Sequence, residues 1–261
     1  MAWRFELATE IGGRPEQQDR ADILAAPDRR DRLVVLADGM GGQQDGAAAA
    51  QTVIDTARRD FASGPVTEPK RFLTELCRHA HEAITELGRQ RQTNPASTCA
   101  ALYVRDNEAY WVHVGDSRLY HFHADGLLYR TRDHTVAELL AGEDAPGPAE
   151  HAADPADNRL YMCLGGQNDL EPEFGAAAMG ENDWFMLCSD GFWNQVGAKE
   201  VAGVLTASAP ERKTAVELAA LATGRGGPGG DNVSVVLAVH ERDPRRPGWR
   251  RFLGSVTPFG R

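Results

Sequence analysis

Three features are missing from this chain: a long apolar run, a closely spaced pair of cysteines and an excess of positive charge. No stretch approaches the roughly 20 consecutive apolar residues of a membrane helix, so no membrane span is expected. The first residues, 1–6, contain no apolar signal core. Both absences favour a cytoplasmic protein.

The four cysteines form no Cys-x-x-Cys pair, and no set of cysteines and histidines has zinc spacing. Cys99 and Cys188 lie in apolar, strand-like runs, where a buried free thiol is the common case. The simplest interpretation is a reducing compartment, in agreement with a cytoplasmic location.

The balance of charge argues against a nucleic-acid-binding protein. The formal net charge is -10, which disfavours non-specific binding to nucleic acid. An acidic surface also repels phosphate groups, so a site that handles phosphate needs local cations. With 42% hydrophobic and 25% charged residues, the 261-residue chain has the composition of a globular protein with one large domain.

Apolar periodicity predicts strands and helices in groups rather than in strict alternation, which favours an α+β fold over a doubly wound parallel sheet. The strands at 99–104, 109–114, 119–122 and 127–130 are expected to form an antiparallel meander, with a hairpin turn at Asp125-Gly126. The other predicted strands are 3–9, 20–25, 32–38, 184–189 and 233–239, and the predicted helices are 45–61, 69–91, 134–141, 198–208 and 211–223.

Two segments have little apolar periodicity. Residues 142–158 are rich in Ala, Gly, Pro, Asp and Glu, and we expect a mobile surface flap that sets substrate choice. Residues 241–261 are rich in arginine, so we divide the chain into a domain at 1–240 and a basic, flexible tail at 241–261. The alternative is a docking or autoregulatory segment anchored by Trp249, Phe252 and Phe259.

Five aspartates lie at the end of an apolar run or in a turn: Asp19, Asp38, Asp116, Asp190 and Asp231. All but Asp19, which closes the polar loop at 13–19, stand beside glycine or asparagine. A carboxylate where a buried strand stops lies at the rim of a core. A single Asp-Gly is most simply a turn or a strand cap. Several such rims brought together would make an oxygen-rich site for hard divalent cations.

Together with their neighbours, these aspartates resemble the motifs of the metal-dependent serine/threonine protein phosphatases, the protein phosphatase 2C-like family. The resemblance runs from about residue 5 to 240, and its segments follow the order of the family. They are RPEQQD at 14–19, ADGMGG at 37–42, ST at 97–98, GDSR at 115–118, DHT at 133–135, LGG at 164–166, CSDG at 188–191 and GDN at 230–232.

The resemblance implies a four-layer αββα sandwich, in which two antiparallel sheets are flanked by helices. It also implies two Mn²⁺ or Mg²⁺ ions. By resemblance, Asp38 bridges the two ions and the Gly39 carbonyl ligates one of them. Asp190 and Asp231 would ligate the other ion, and Asp19 would lie in the shell of the second metal.

Three further residues take roles from the same resemblance. Asp116 matches a position that helps to hold a weaker third ion. Arg14 matches the arginine that clamps the substrate phosphate, a role suited to its planar fork of donors. Asn232 would orient Asp231 or a bound water. Asp38 and Arg14 are therefore the expected catalytic residues.

The implied reaction is hydrolysis of phosphoserine or phosphothreonine on proteins by a metal-activated water. The partners would be a phosphoprotein substrate and a cognate serine/threonine kinase that the enzyme opposes in bacterial signalling, and we expect a monomer. One alternative is a pseudophosphatase that binds a phosphoprotein or kinase without turnover. Another is a phosphatase of small molecules or of an anti-sigma-type regulatory phosphoprotein.

Two glutamines depart from the pattern of the family. The loop reads Gln17-Gln18-Asp19 where members of the family commonly have Asn-Glu-Asp or Asn-Gln-Asp, and the neutral oxygen of Gln18 predicts weaker binding of the second ion than in the members with Glu. Gln43 follows the double glycine where bacterial members usually have His, and glutamine has no titratable proton for a leaving group.

The histidines suggest a different metal site. His113, His121 and His123 lie in a strand-rich stretch without matching acidic partners, so we interpret them as structural or surface residues. For His134 we expect a structural contact rather than a catalytic one.

Overall fold

The computed structural model describes residues 2–26, 31–123, 126–141, 159–206 and 213–241. Its strands in chain order are β1 (Ala2–Glu10), β2 (Asp19–Ala25), β3 (Arg32–Met40), β4 (Ala96–Ser97), β5 (Cys99–Arg105), β6 (Glu108–Val114), β7 (Arg118–His123), β8 (Gly126–Arg130), β9 (Glu173–Ala178), β10 (Asp183–Cys188) and β11 (Val233–Glu241). Its helices are α1 (Gln43–Ala62), α2 (Pro69–Arg91), α3 (Val136–Ala141), α4 (Asp190–Trp193), α5 (Ala198–Thr206) and α6 (Thr214–Gly226), followed by a 3-10 turn at Gly227–Gly229.

The strands form two antiparallel sheets. The first sheet has the order β1-β11-β10-β7-β8, and the second has β2-β3-β5-β6-β9 with β4 paired to β3. An apolar layer between the sheets contains Val34 and Leu36 from one sheet and Leu187 and Val236 from the other. Helices α1 and α2 pack on the outer face of the second sheet, and α4, α5 and α6 pack on the first. The predicted four-layer αββα sandwich is thus confirmed.

The continuous apolar run at 32–38 forms a strand that is buried on both faces, as predicted. Leu33, Val35 and Ala37 face the helices, whereas Val34 and Leu36 face the other sheet. Because successive side chains of a strand point to opposite faces, a strand covered on both sides needs apolar residues at every position.

The helix periodicity of residues 69–91 is also confirmed. The buried side chains of α2 include Leu73, Leu76, Cys77, Ala80 and Ile84, at intervals of three and four residues. This spacing places them on one face of the helix, which packs against the second sheet.

The predicted four-stranded meander is wrong. β5 pairs with β6 in the second sheet, and β7 pairs with β8 in the first, so the chain crosses between the sheets after β6. The crossing is the short turn Gly115-Asp116, and Gly115 has φ 99°, in the left-handed region that favours glycine. A Cβ on Gly115 would lie 2.7 Å from Cγ2 of Thr98.

Among the described elements, the short strands β4 and β9 and the short helix α4 were not predicted. β9 is a half-exposed edge strand rich in alanine and glycine, which are depleted in strands. Helix α4 has only four residues, too few for a periodic pattern. The flap at 142–158 and the tail after Glu241 lie outside the described residues. Within the described part, no helix is both long enough and apolar enough to span a membrane.

Candidate metal centre

Two of the five aspartates face each other across a pair of strands. In the register of β2 with β3, Asp19 is directly opposite Asp38. Asp19 is 2% exposed, and burial is the main cause that raises the pKa of Asp38 well above its ordinary value. Two carboxylates at neighbouring buried positions repel each other unless a proton or a cation lies between them.

The other three aspartates reach the same place from different elements. Asp190 begins α4, Asp231 comes two residues before β11, and Asp116 lies at the crossing between the sheets. After burial, the causes that raise the pKa of Asp38 are the charges of the other four aspartates. The five predicted carboxylates therefore converge on one site at the edge of both sheets.

The electrostatics of this site favour a bound cation. Burial raises the pKa of Asp19 to about 7, and the charges of Asp190 and Asp231 add to this effect. Burial also raises the pKa of Asp190 to about 6, with the charge of Asp231 as the next cause. Each shift shows that the folded chain alone does not stabilise the charged carboxylates.

One oxygen of Asp19 fits this interpretation directly. Oδ2 accepts a hydrogen bond of 2.7 Å from the hydroxyl of Ser189. The hydroxyl of Ser234 also lies beside this carboxyl and lowers its pKa, but Oδ1 is buried and makes no hydrogen bond of normal geometry among the described residues. A buried acceptor without a donor is costly. A hard divalent cation coordinated by carboxylates would satisfy it, so the residues present fit such an ion.

The backbone around Asp38 is fixed by Thr98, a residue of the matched ST segment for which no role was predicted. The amide of Asp38 donates to Oγ1 of Thr98 at 2.9 Å, and the amide of Thr98 donates to the carbonyl of Asp38 at 2.8 Å. The next residue, Gly39, lies so close to α1 that an added Cβ would be 1.9 Å from the Gly46 carbonyl oxygen. The close approach of Gly39 to Gly46 and the Thr98 contacts together fix the end of β3.

Arg14 lies at the rim of the site. Its Nη2 contacts Oδ2 of Asp231 at 2.6 Å, and the two side chains are 53% and 36% exposed. The loop that contains Arg14 is joined to the loop before β11 by a hydrogen bond of 2.9 Å from the Gly13 amide to the Gly230 carbonyl. The guanidinium is thus beside the carboxylates and open to solvent.

Asn232 contacts both Asp231 and the Arg14 loop. Its backbone amide donates to Oδ1 of Asp231 at 2.8 Å, so Asn232 helps to orient this carboxylate. Its side-chain amide donates to the carbonyls of Ile11 and Glu16 at 2.8 and 3.1 Å, and its Oδ1 accepts from the backbone amide of Gln18 at 2.8 Å. The side chain thereby holds the Arg14 loop.

The two unusual glutamines differ in what the structure describes. Nε2 of Gln18 donates to the carbonyl of Gly42 at 3.1 Å, so this side chain connects the start of β2 to the start of α1. For Gln43 the backbone begins α1, but its side chain lies outside the described part of the chain.

The expectation that the histidines lack acidic partners is wrong. Asp183 contacts both His123, at 2.6 Å, and His121, at 3.4 Å, and Oε2 of Glu173 is 3.7 Å from Nδ1 of His113. Both carboxylates lie about 60 residues away along the chain and become neighbours only through strand pairing.

His113, His134 and Glu173 bring one ligand atom each within 4.8 Å of one another. Nδ1 of His134, however, accepts a hydrogen bond of 3.1 Å from the Gly115 amide, which places the ring proton on Nε2. His134 therefore has no free lone pair for a metal. It makes a structural contact with the crossing between the sheets, as expected.

Comparison with known proteins supports the assignment of the fold. The sequence profile described as protein phosphatase 2C matches residues 12–214. The protein phosphatase PhpP of Streptococcus pneumoniae is 30% identical over 247 residues, which cover 92% of this chain and 98% of that protein.

Solved structures agree with this result. The serine/threonine phosphatase of S. agalactiae superposes with a TM-score of 0.83 at 28% identity, covering 92% of this chain and 100% of that one. The catalytic domain of the serine/threonine protein phosphatase PstP, solved in complex with two manganese ions, has a TM-score of 0.77 at 27% identity, with 92% and 99% covered. The profile match over most of the chain and the matching fold show that this chain belongs to the protein phosphatase 2C family.

Proposed function

We propose that this chain is a metal-dependent phosphatase that removes phosphate from serine or threonine residues of proteins. The observation that carries the proposal is the convergence of five carboxylates from both sheets around the unpartnered oxygen of Asp19. A site of this composition suits two Mn²⁺ or Mg²⁺ ions. The manganese ions of the related PstP structure support the same assignment.

The chain offers a distinct set of oxygens to each ion. Asp38 would bridge the two, with the Gly39 carbonyl on one of them. Asp190 and Asp231 would hold the other ion, and Asp19 would lie in the shell of the second metal, with Oδ1 available to it. Asp116, at the crossing between the sheets, would help to hold a third and weaker ion. When bound, the ions would lower the pKa of a water molecule and offset negative charge at the phosphate.

Arg14 would bind and orient the substrate. Hydrolysis joins the oxygen of a water molecule to phosphorus and breaks the bond from phosphorus to the serine or threonine oxygen, which leaves with a proton. A guanidinium at the open rim can donate two parallel hydrogen bonds to the phosphate oxygens. In this structure the same group contacts Asp231, so Arg14 would exchange a carboxylate partner for the phosphate.

The cellular setting follows from the same proposal. An enzyme that removes phosphate from serine and threonine opposes a serine/threonine kinase, and we propose a cytoplasmic, monomeric enzyme of bacterial signalling. The relatives named above come from bacteria. The domain would comprise residues 1–240, and the basic tail at 241–261 would lie outside the catalytic unit.

The test is release of phosphate from a phosphoserine or phosphothreonine peptide by the purified full chain. Release should require Mn²⁺ or Mg²⁺, stop in EDTA and be absent in Asp38→Ala. Asp55→Ala, at an exposed position of α1, is a matched control and should behave like the wild type. A protein that binds Mn²⁺ but releases no phosphate from any phosphopeptide would instead be a pseudophosphatase, and the proposal would fail.

A further inference from the structure

Trp193 joins two parts of the metal centre that come from different places in the chain. It ends the short helix α4, which begins with Asp190. Its indole Nε1 donates a hydrogen bond of 2.9 Å to the backbone carbonyl of Asp116. One side chain therefore connects the helix of one carboxylate to the backbone of another.

The ring of Trp193 is itself held in place. The guanidinium carbon of Arg118 lies 3.6 Å from the ring centroid, a close cation–π contact. Arg118 in turn makes two hydrogen bonds to Asp133, from Nε at 2.9 Å and from Nη2 at 2.6 Å. Both members of this ion pair are buried, with 7% and 5% of their side chains exposed.

These contacts act on a segment that is under electrostatic repulsion. After burial, the charges of Asp190 and Asp133 are the causes that raise the pKa of Asp116. Carboxylates that repel one another separate unless the backbone is restrained. Around Asp116, His134 satisfies the amide and the carbonyl of Gly115, and Trp193 satisfies the carbonyl of Asp116 itself.

We propose that Trp193 is a positioning residue, which holds Asp116 at a fixed place relative to Asp190 and thereby sets the affinity of the weakest ion at the centre. This inference rests on the proposed function. Trp193 touches neither substrate nor metal, and its effect passes through the Asp116 carbonyl. The two stronger ions, held by carboxylates that Trp193 does not contact, keep their affinity when it is changed.

The experiment compares Trp193→Phe with Trp184→Phe. Phenylalanine keeps an aromatic face for Arg118 but has no N–H for the Asp116 carbonyl. Trp184 lies on β10 of the first sheet, on which α4 packs, and the guanidinium of Arg4 lies over its ring. It is therefore a matched control, a tryptophan with a cation–π contact but no hydrogen bond to Asp116. Binding of Mn²⁺ to the full-length protein is measured directly, from the electron paramagnetic resonance of free Mn²⁺, together with the melting temperature in EDTA.

We expect Trp193→Phe to weaken the weakest Mn²⁺ site roughly five- to tenfold, the effect of one lost hydrogen bond. The two tighter sites and the melting temperature in EDTA should match those of Trp184→Phe. Unchanged affinity of the weakest site overturns the inference, and so does equal weakening of all sites or a selective loss of thermal stability, which would indicate a merely structural role.

Two further outcomes separate this inference from the proposed function. A wild type that binds two Mn²⁺ ions and no third overturns the inference alone, whereas a wild type that binds none overturns the metal centre itself. If Trp193→Phe does not fold, the indole N–H resonances of the wild type are used to test the inference instead. The resonance of Trp193 should shift in the weakest step of a Mg²⁺ titration, and a resonance that stays in place contradicts the inference.

Discussion

Asp19 and Asp38 lie directly opposite each other in the pairing of β2 with β3, where Asp19 is buried and Asp38 is partly exposed. Like charges at directly opposed positions of an antiparallel pair destabilise a sheet. The metal-free fold therefore carries a local cost at the position where function requires negative charge.

Asp38→Asn should separate stability from activity. The amide keeps the shape of the side chain and removes its charge, so we expect the melting temperature in EDTA to rise by about 2–4 °C, the equivalent of ~1 kcal/mol in a chain of this size. Metal-dependent phosphate release should fall by at least about 100-fold, since even the outer partners of metal ligands contribute 10- to 100-fold. Asp55→Asn on the exposed face of α1 is the control. A melting temperature of Asp38→Asn below that of the wild type in EDTA would contradict the repulsion between Asp19 and Asp38.

The stability of the metal-free protein should depend on pH through Asp19. Burial raises the pKa of Asp19 from its ordinary value of 3.8 to about 7, so the folded state holds this proton more tightly than the unfolded state. Its contribution to stability is therefore full below about pH 4 and is lost as the pH rises towards 7. In EDTA, the melting temperature of Asp19→Asn should exceed that of the wild type by a margin that grows over this range.

The addition of Mn²⁺ gives the second half of this test. The ion replaces the proton, so the stabilisation of the wild type by Mn²⁺ should increase between pH 5 and 8 and should be much smaller in Asp19→Asn. A difference between the two proteins that is the same at every pH would show that Asp19 does not titrate in this range.

Arg14→Lys should affect substrate binding rather than folding. Lysine keeps the charge but loses the planar pair of donors, and the side chain at this position is about half exposed. We expect KM for a phosphopeptide to rise about tenfold, with a change in melting temperature close to zero. Arg58→Lys, at another half-exposed arginine with a carboxylate partner, controls for a general loss of charge geometry. If kcat falls while KM is unchanged, the assignment of Arg14 to phosphate binding is wrong.

Gln43→His tests the departure at the start of α1. A histidine can donate a proton to a leaving group near neutral pH, whereas the side chain of glutamine does not titrate there. The gain in activity should therefore appear with a phosphoserine peptide, whose alkoxide leaves poorly, and be small with p-nitrophenyl phosphate. Equal gains on the two substrates, or no gain on either, would contradict the idea.

Asn232→Asp tests the connection between the Arg14 loop and the strand after it. The carboxylate can still accept from the Gln18 amide, but it repels the carbonyls of Ile11 and Glu16, which now receive hydrogen bonds. Because the position is only 4% exposed, the loss of these hydrogen bonds should lower the free energy of unfolding by about 1–3 kcal/mol. It should also make the Arg14 loop more mobile and thereby raise KM for a phosphopeptide. Thermal unfolding and peptide kinetics measure the two effects. A variant with normal stability and raised KM would show that the amide acts on the loop alone.

The parts of this site that follow apolar runs could be predicted from sequence. Asp38 ends a continuous run whose length and composition define a buried strand, Asp190 comes two residues after the end of β10, and Asp231 comes two residues before the start of β11. Local patterns do not determine which sheet a strand joins. The turn after β6 has the composition of a hairpin, yet it carries the chain across the sandwich, which is why Asp116 reaches the site.

Contacts between distant parts of the chain were outside the reach of local patterns. The pairs His113–Glu173 and His123–Asp183 depend on the order of strands in each sheet. The side-chain amide of Asn232 donates to carbonyls on both sides of the loop that precedes β2, because β1 and β11 pair along their whole length and bring the residues after Glu10 beside those before Val233.

The five carboxylates also belong to both halves of the sandwich. Asp19 and Asp38 come from the second sheet, whereas Asp190 and Asp231 adjoin strands of the first. Ions held between them would cross-link the two sheets and close large loops in the chain, as a disulfide does in proteins of oxidising compartments. Exchange of the backbone amides of both sheets should therefore slow when Mg²⁺ is added, including amides far from the ions. The domain would also resist sliding of one sheet over the other.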